Sequence, residues 1–279
     1  MDSPETSGPV TSRMSAIPHR FTERVMAEES WSAVTNISGP AVTGLCAITV
    51  VREPFINAGV LDHRNTIYAG GRVGGPAVMV ISRDRGESWQ SVDLSEHAAM
   101  ILDITFINPA VGFISAASST AVDQSNAVIL RTEDGGRSWT KVYQSDRPYE
   151  ITWKSSFPSE KVGYVTVQNY NPDPSVSRRV VAKTTDGGRS WREIDLVDDV
   201  AVRQFGVGFI TPDVGWVGTT TGGFETTDGG ASWRRVEFGK AVNKIRLVPT
   251  GDGFVGFAIG VEVHKLVWPD PNEQMTSDE

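Results

Sequence analysis

Apolar runs along residues 29–268 are short, and Gly, Asp, Ser and Asn cluster between them. Runs of this length, rich in Val, Ile, Phe, Tyr and Trp and bounded by turn residues, predict β-strands and not amphipathic helices. The punctuation repeats. Four segments align: Ser82-Arg83-Asp84-Arg85-Gly86-Glu87-Ser88-Trp89, Thr132-Glu133-Asp134-Gly135-Gly136-Arg137-Ser138-Trp139, Thr184-Thr185-Asp186-Gly187-Gly188-Arg189-Ser190-Trp191 and Thr226-Thr227-Asp228-Gly229-Gly230-Ala231-Ser232-Trp233. Their tryptophans lie 50, 52 and 42 residues apart, a spacing that belongs to propeller blades. Within each copy the aspartate accepts hydrogen bonds from the turn, and glycine supplies positive φ at no steric cost. The tryptophan then opens a strand of the form W-x-x-[VI] and buries its ring between sheets. Upstream of the turns lies a second repeat, Val111-Gly112-Phe113, Val162-Gly163-Tyr164, Val214-Gly215-Trp216 and Asp252-Gly253-Phe254, with Thr66-Ile67-Tyr68 as the weaker first copy.

Five units of about four strands each predict an all-β, five-bladed β-propeller. A further W-x-x-[VI] copy, Ser30-Trp31-Ser32-Ala33-Val34, has no turn before it, and only three strand-like runs follow Trp233 (241–248, 253–260 and 261–268). The expected closure therefore pairs residues 31–34 into the last blade as its fourth strand, which removes an exposed edge. The domain reading is a leader over 1–28, one propeller over 29–268 and an acidic tail over 269–279.

The [ST]-x-D-x-G-x-S-W copies resemble the Asp-box (BNR) repeat of sialidase-like propellers and of the photosystem II stability and assembly factor family. The Gly-aromatic pair followed by Thr-Thr-Asp-Gly-Gly is most similar to the assembly-factor branch. The resemblance implies that the Asp-box turns join the third and fourth strands on one face. It puts the ligand face opposite, on the inter-blade links and the turns between second and third strands. It also implies a structural role for Asp84, Trp89, Asp134, Trp139, Asp186, Trp191, Asp228 and Trp233. Sialidases pair a tyrosine with a carboxylate and add arginines for the substrate carboxylate. Tyr149-Glu150 matches the first feature, while Ala16-Ile17-Pro18 lacks the arginine of the family's Arg-Ile-Pro element.

Composition narrows the function classes. Lys+Arg 26 against Asp+Glu 34 leaves a net charge of −8, which disfavours a phosphate backbone as partner, so no nucleic acid is expected. No run approaches the length of a membrane helix, and 1–18 lacks the apolar segment of a secretory signal, so no membrane insertion and a cytoplasmic location are expected. Cys46 is the only cysteine, and His19, His63, His97 and His264 are scattered, so neither a metal nor a cofactor is expected. Cys46, opening an inner strand, reads as a small buried apolar residue.

The expected ligand face offers the chemistry. From the Gly-aromatic residue to the turn aspartate the second and third units run 21 and 22 residues, against 12 in the fourth, so their extra length lies in loops where binding residues concentrate. Candidate acid–base residues there are Glu150, His97, Tyr149 and Asp198. Candidate ligand-binding residues are Arg72, Arg147, Trp153, Tyr170, Arg178, Arg203 and Lys244, since converging guanidiniums make a bidentate anion site. Two functions remain open. One is a module that binds a small molecule or a partner protein through this face. The alternative is an enzyme on a glycan or polar small molecule, a glycosidase-like hydrolase or a lyase or cyclase, with acid–base groups at the channel mouth.

Overall fold

The computed structural model describes residues 32–42, 44–71, 77–251 and 253–269. Its first sheet comprises β1 (Ile37–Ser38), β2 (Ala47–Asn57), β3 (Val60–Gly71), β4 (Val78–Ser82) and β5 (Trp89–Asp93), in the order β1-β5-β4-β3-β2. The second contains β6 (Met100–Phe106), β7 (Gly112–Ala117), β8 (Ala127–Thr132) and β9 (Thr140–Gln144). The third contains β10 (Glu150–Ser156), β11 (Gly163–Asn169), β12 (Val180–Thr184) and β13 (Arg192–Asp195). The fourth contains β14 (Gln204–Phe209), β15 (Gly215–Thr219), β16 (Gly223–Thr226) and β17 (Arg234–Val236). The last has three strands, β18 (Lys244–Thr250), β19 (Gly253–Ile259) and β20 (Val263–Pro269). Each sheet is an antiparallel meander apart from β1, and together they form the five-bladed propeller that the repeat predicts.

The four repeated turns join the third strand of a blade to its fourth and are built alike. In the second blade, Asp134 Oδ1 accepts from the amides of Arg137 and Ser138, both at 2.9 Å, and Oδ2 accepts from the Ser138 hydroxyl at 2.6 Å. Thr132 Oγ1 donates to Asp134 and accepts from the Gly136 amide at 2.9 Å. Asp84, Asp186 and Asp228 hold the same serine amide and hydroxyl. Gly188 shows why a side chain is not tolerated: φ is +75°, and a Cβ there would sit 2.1 Å from Phe113.

Blade contacts repeat as well. Phe106 meets Trp139, Phe113 and Phe157 meet Trp191, and Phe209 meets Trp233, all edge to face at 6.1–6.3 Å. Four hydrophobic clusters fill the boundaries between blades one and two, two and three, three and four, and four and five. The inner strands β2, β6, β10, β14 and β18 follow one another in contact, and polar ties cross between them. The Phe209 amide on β14, for example, donates to Ser156 Oγ on β10 at 3.0 Å.

Two expectations need correction. Trp31 lies outside the described residues, and Ser32–Val34 adopt no strand. The chain just beyond them, β1, pairs in parallel with β5 at Ile37↔Trp89 and Ser38↔Gln90, on the first blade and not the last. Hydrogen bonds across about fifty residues of chain hold it there: Asn36 donates to the Glu87 carbonyl, Ser38 to the Trp89 carbonyl, and Ser91 to the Pro40 carbonyl, which commits this segment to the outer strand of the first blade. The last blade keeps three strands. Cys46 is exposed, not buried: it precedes β2 at the end of the inner strand, where its thiol still donates to the Ile101 carbonyl of the second blade.

Candidate functional site

The end of the propeller opposite the repeated turns carries the inter-blade links and the long second-to-third connections of blades two and three. Two clusters meet there. One is centred on Arg147. Its Nε lies 2.8 Å from Glu150 Oε1, and its Nη2 lies 3.1 Å from Glu150 Oε2 and 2.7 Å from Glu193 Oε1. Asn169 donates to Glu150 Oε1 at 2.9 Å, and Tyr143 donates to Glu193 at 2.7 Å. Arg178 spans Glu193 and Asp195. Glu150 is 0% exposed, with both oxygens engaged. Burial, and then the Glu193 carboxylate, push the Tyr143 hydroxyl above its ordinary range. Burial works against the Arg147 charge, yet the two glutamates outweigh it and raise that group.

The other cluster lies between blades three and four. Gln168 and Tyr170 follow the alternation of β11 that points Tyr164 and Thr166 toward the fourth blade, and Gln204 reaches back from β14 to donate to the Val180 carbonyl at 3.0 Å. The Tyr170 hydroxyl donates to Gln168 Oε1 at 2.6 Å, and the Arg203 guanidinium sits 4.2 Å from the Tyr170 ring centroid. Arg179, nearly buried, donates to the Ser177 hydroxyl and the Val200 carbonyl. Burial first, and then the charge of Arg203, lower the Arg179 group below its ordinary value. Four buried polar atoms here have no protein partner: Gln168 Nε2, Gln204 Oε1, and the Nε atoms of Arg179 and Arg203. Of these four residues only Arg179 borders a cleft of about 380 Å³, whose other polar lining is Ser177, Arg178, Asp195, Asp198 and Asp199.

The predicted residues therefore divide. Arg147, Glu150 and Arg178 share one network. Tyr170 and Arg203 share the other, and the Tyr149 carbonyl accepts the Tyr170 amide at 2.8 Å while Tyr149 itself holds φ +67°. Asp198 lies exposed at the rim of the cleft. Trp153 and Lys244 belong to the channel: Trp153 packs on Phe205 at 6.3 Å, and Lys244 is lowered by the neighbouring charge of Arg246, then by burial and Lys154. His97 sits in the link after β5, where only its backbone amide bonds, to the Leu94 carbonyl. Arg72 lies outside the described residues. Among the described residues no three His, Cys, Asp or Glu side chains are grouped to hold a metal, and no helix is long and apolar enough to cross a membrane.

Sequence reasoning placed Arg179 on the right loop but did not single it out, and missed Gln168 and Gln204. Both glutamines sit within apolar strand patterns, so the only available signal was a polar residue at an inward-facing strand position.

No family model matches the chain, and no curated protein matches it. Solved structures do. An ancestral GH74 enzyme aligns over 88% of this chain and 34% of its own, with 15% identity and a TM-score of 0.52. A structure of YCF48 bound to D1 peptide aligns over 60% of this chain and 51% of its own, with 22% identity and a TM-score of 0.43. The GH74 xyloglucanase from Xanthomonas campestris aligns over 72% and 43%, with 13% identity and a TM-score of 0.42. The chain thus spans about half, or less, of the length of these structures. At such identities the likeness is one of fold, the β-propeller.

Proposed function

We propose that this chain is a non-catalytic binding module of the Asp-box type, whose loop-rich face holds an acidic peptide segment of a partner protein at the Arg179–Arg203 pair between blades three and four. The observation that carries this reading is the approach of these two guanidiniums on the loop-rich face, with Arg203 stacked 4.2 Å from the Tyr170 ring centroid. Two guanidiniums close enough for one to depress the other are complementary to a carboxylate, and the second charge is then neutralised by the ligand. Tyr170, flattened against Arg203, offers a ring edge for the segment's side chains.

The acid–base candidates support binding over turnover. Glu150 has no oxygen open to a substrate, and His97 stands apart from it on a different link.

The test is calorimetric titration with a short acidic peptide and with its amidated, uncharged counterpart. The acidic peptide is expected to bind and the neutral one not. Arg203→Gln removes a charge-assisted bond worth about 1.5–3 kcal/mol, so affinity should fall roughly 10- to 100-fold. Equal affinity for both peptides, or for wild type and variant, defeats the reading.

A further inference from the structure

Among the described residues, hydrophobic clusters fill the four boundaries between consecutive blades, and none joins the fifth sheet to the first. Among the described residues, every exposed large apolar side chain that lies in a strand belongs to the first or the fifth sheet. Trp89 repeats the point. The rings of its counterparts Trp139, Trp191 and Trp233 pack on aromatic rings, whereas the Trp89 ring meets no aromatic ring among the described residues and its indole N–H donates to the Gly86 carbonyl of its own turn.

Strand alternation identifies the uncovered faces. On the fifth sheet, Ile245, Leu247, Ala258 and Trp268 point into the cluster shared with the fourth. The alternate residues point away: Val248, Val255, Phe257, Ile259, Val263 and Val267, in cross-strand rows set by the pairing register. Val263 is 72% exposed and Val267 64%. Interleaved with them are Arg246 and Lys265, and no carboxylate on these strands. On the β2–β3 hairpin of the first sheet, the corresponding face carries exposed Ile48, Val50, Ile56 and Leu61 with Arg52 and His63, again with no carboxylate.

We infer that the sheet face of β18–β20 is a docking surface for a second protein that presents a β-sheet or hairpin of aliphatic side chains interleaved with Asp and Glu. A contiguous apolar sheet face is a protein-interaction surface by its chemistry. Charge complementarity selects the partner. In a chain of net charge −8, this face sets Arg246 and Lys265 side by side with Phe257 and carries no carboxylate on its strands. A second copy would set these cations against themselves or against Arg52, and like charges brought together at an interface are costly. An acidic aliphatic sheet satisfies both terms and packs as blades pack on one another, face to face.

The experiment uses the full chain and two fluorescein-labelled, disulfide-closed β-hairpin peptides, one alternating valine with glutamate and one alternating valine with lysine. Anisotropy titration should show binding of the glutamate hairpin alone. Arg246→Glu with Lys265→Glu should weaken it at least about tenfold and admit the lysine hairpin; circular dichroism confirms that the variant is folded. Arg203→Gln should leave this binding unchanged, which separates it from the Arg179–Arg203 pair between blades three and four. Equal binding of both hairpins, binding of neither, or a concentration-dependent dimer in sedimentation velocity that Phe257→Glu abolishes would each overturn the inference.

Discussion

Replacing Arg147 by methionine isolates what the network beneath the loop-rich face contributes. The substitution keeps most of the side chain's length and removes its charge. Glu150, 0% exposed, then loses both guanidinium contacts and keeps only Asn169. Glu193 retains Tyr143 and Arg178, so the damage concentrates on one carboxylate. Breaking a buried pair from one side costs about 3–5 kcal/mol. Arg147 itself is one-fifth exposed, which admits some water and sets the expectation at the lower end, about 3 kcal/mol. Adding Glu150→Leu removes the stranded charge. What remains is the unpartnered Asn169 amide, a cost of about 1–3 kcal/mol, so the double variant should be no less stable than Arg147→Met alone. Equilibrium urea unfolding followed by tryptophan fluorescence measures all four corners of the cycle. A loss below about 1 kcal/mol for Arg147→Met, or a double variant whose loss equals the two single losses added together, would refute the account of Glu150 as a buried side chain whose principal partner is Arg147.

Other expectations follow from the repeated turns. The Ser88 hydroxyl and amide hold the Asp84 carboxyl at about 2, the Ser232 hydroxyl and amide do the same for Asp228, and at Asp134 the Ser138 pair outweighs an opposing burial effect to reach about 2. A carboxyl depressed on folding stabilises above its unfolded value and loses that contribution as pH falls through its folded one. Unfolding free energy should therefore be steady from neutrality to about pH 4 and drop between about pH 4 and 2, and a profile that fell mainly above pH 5 would contradict this. Asp134→Ala should flatten part of that acid limb, read by the same urea series at two pH values. Gly188→Ala should destabilise by more than the roughly 1–2 kcal/mol of a left-handed alanine, because its Cβ meets Phe113 at 2.1 Å. Gly59→Ala, at φ +81° with open space around it, should cost only that backbone term.

The blade count and the turns were legible because each rests on local chemistry repeated in register. Asp134, Thr132, Gly136 and Ser138 lie within seven residues of one another, so the turn they build needs no distant partner. The same holds for the Gly-aromatic pairs, where a missing Cβ and a large ring sit side by side in the chain. Repetition then made the period visible, and the period implied the architecture. For the site, sequence reasoning named Arg147, Glu150, Tyr170 and Arg203 as candidates on the loops, and the structure brings Arg147 to Glu150 and Arg203 to Tyr170.

What the sequence by itself determined, then, is every feature whose partners are near neighbours: strands, turns, blade period, and which face carries long loops. Tertiary structure alone decided the rest. Whether Glu150 is free or sealed depends on Glu193 and Asn169, which approach from other strands. Whether Gln168 and Gln204 are satisfied depends on the boundary between two blades. Whether the ring closes through residues 31–34 depends on a competition among edges, which β5 won by offering Asn36 and Ser38 their hydrogen bonds. Local pattern specifies a strand's existence, but its choice of neighbour is a difference between free energies of long-range contacts, and that difference is not written in any one segment.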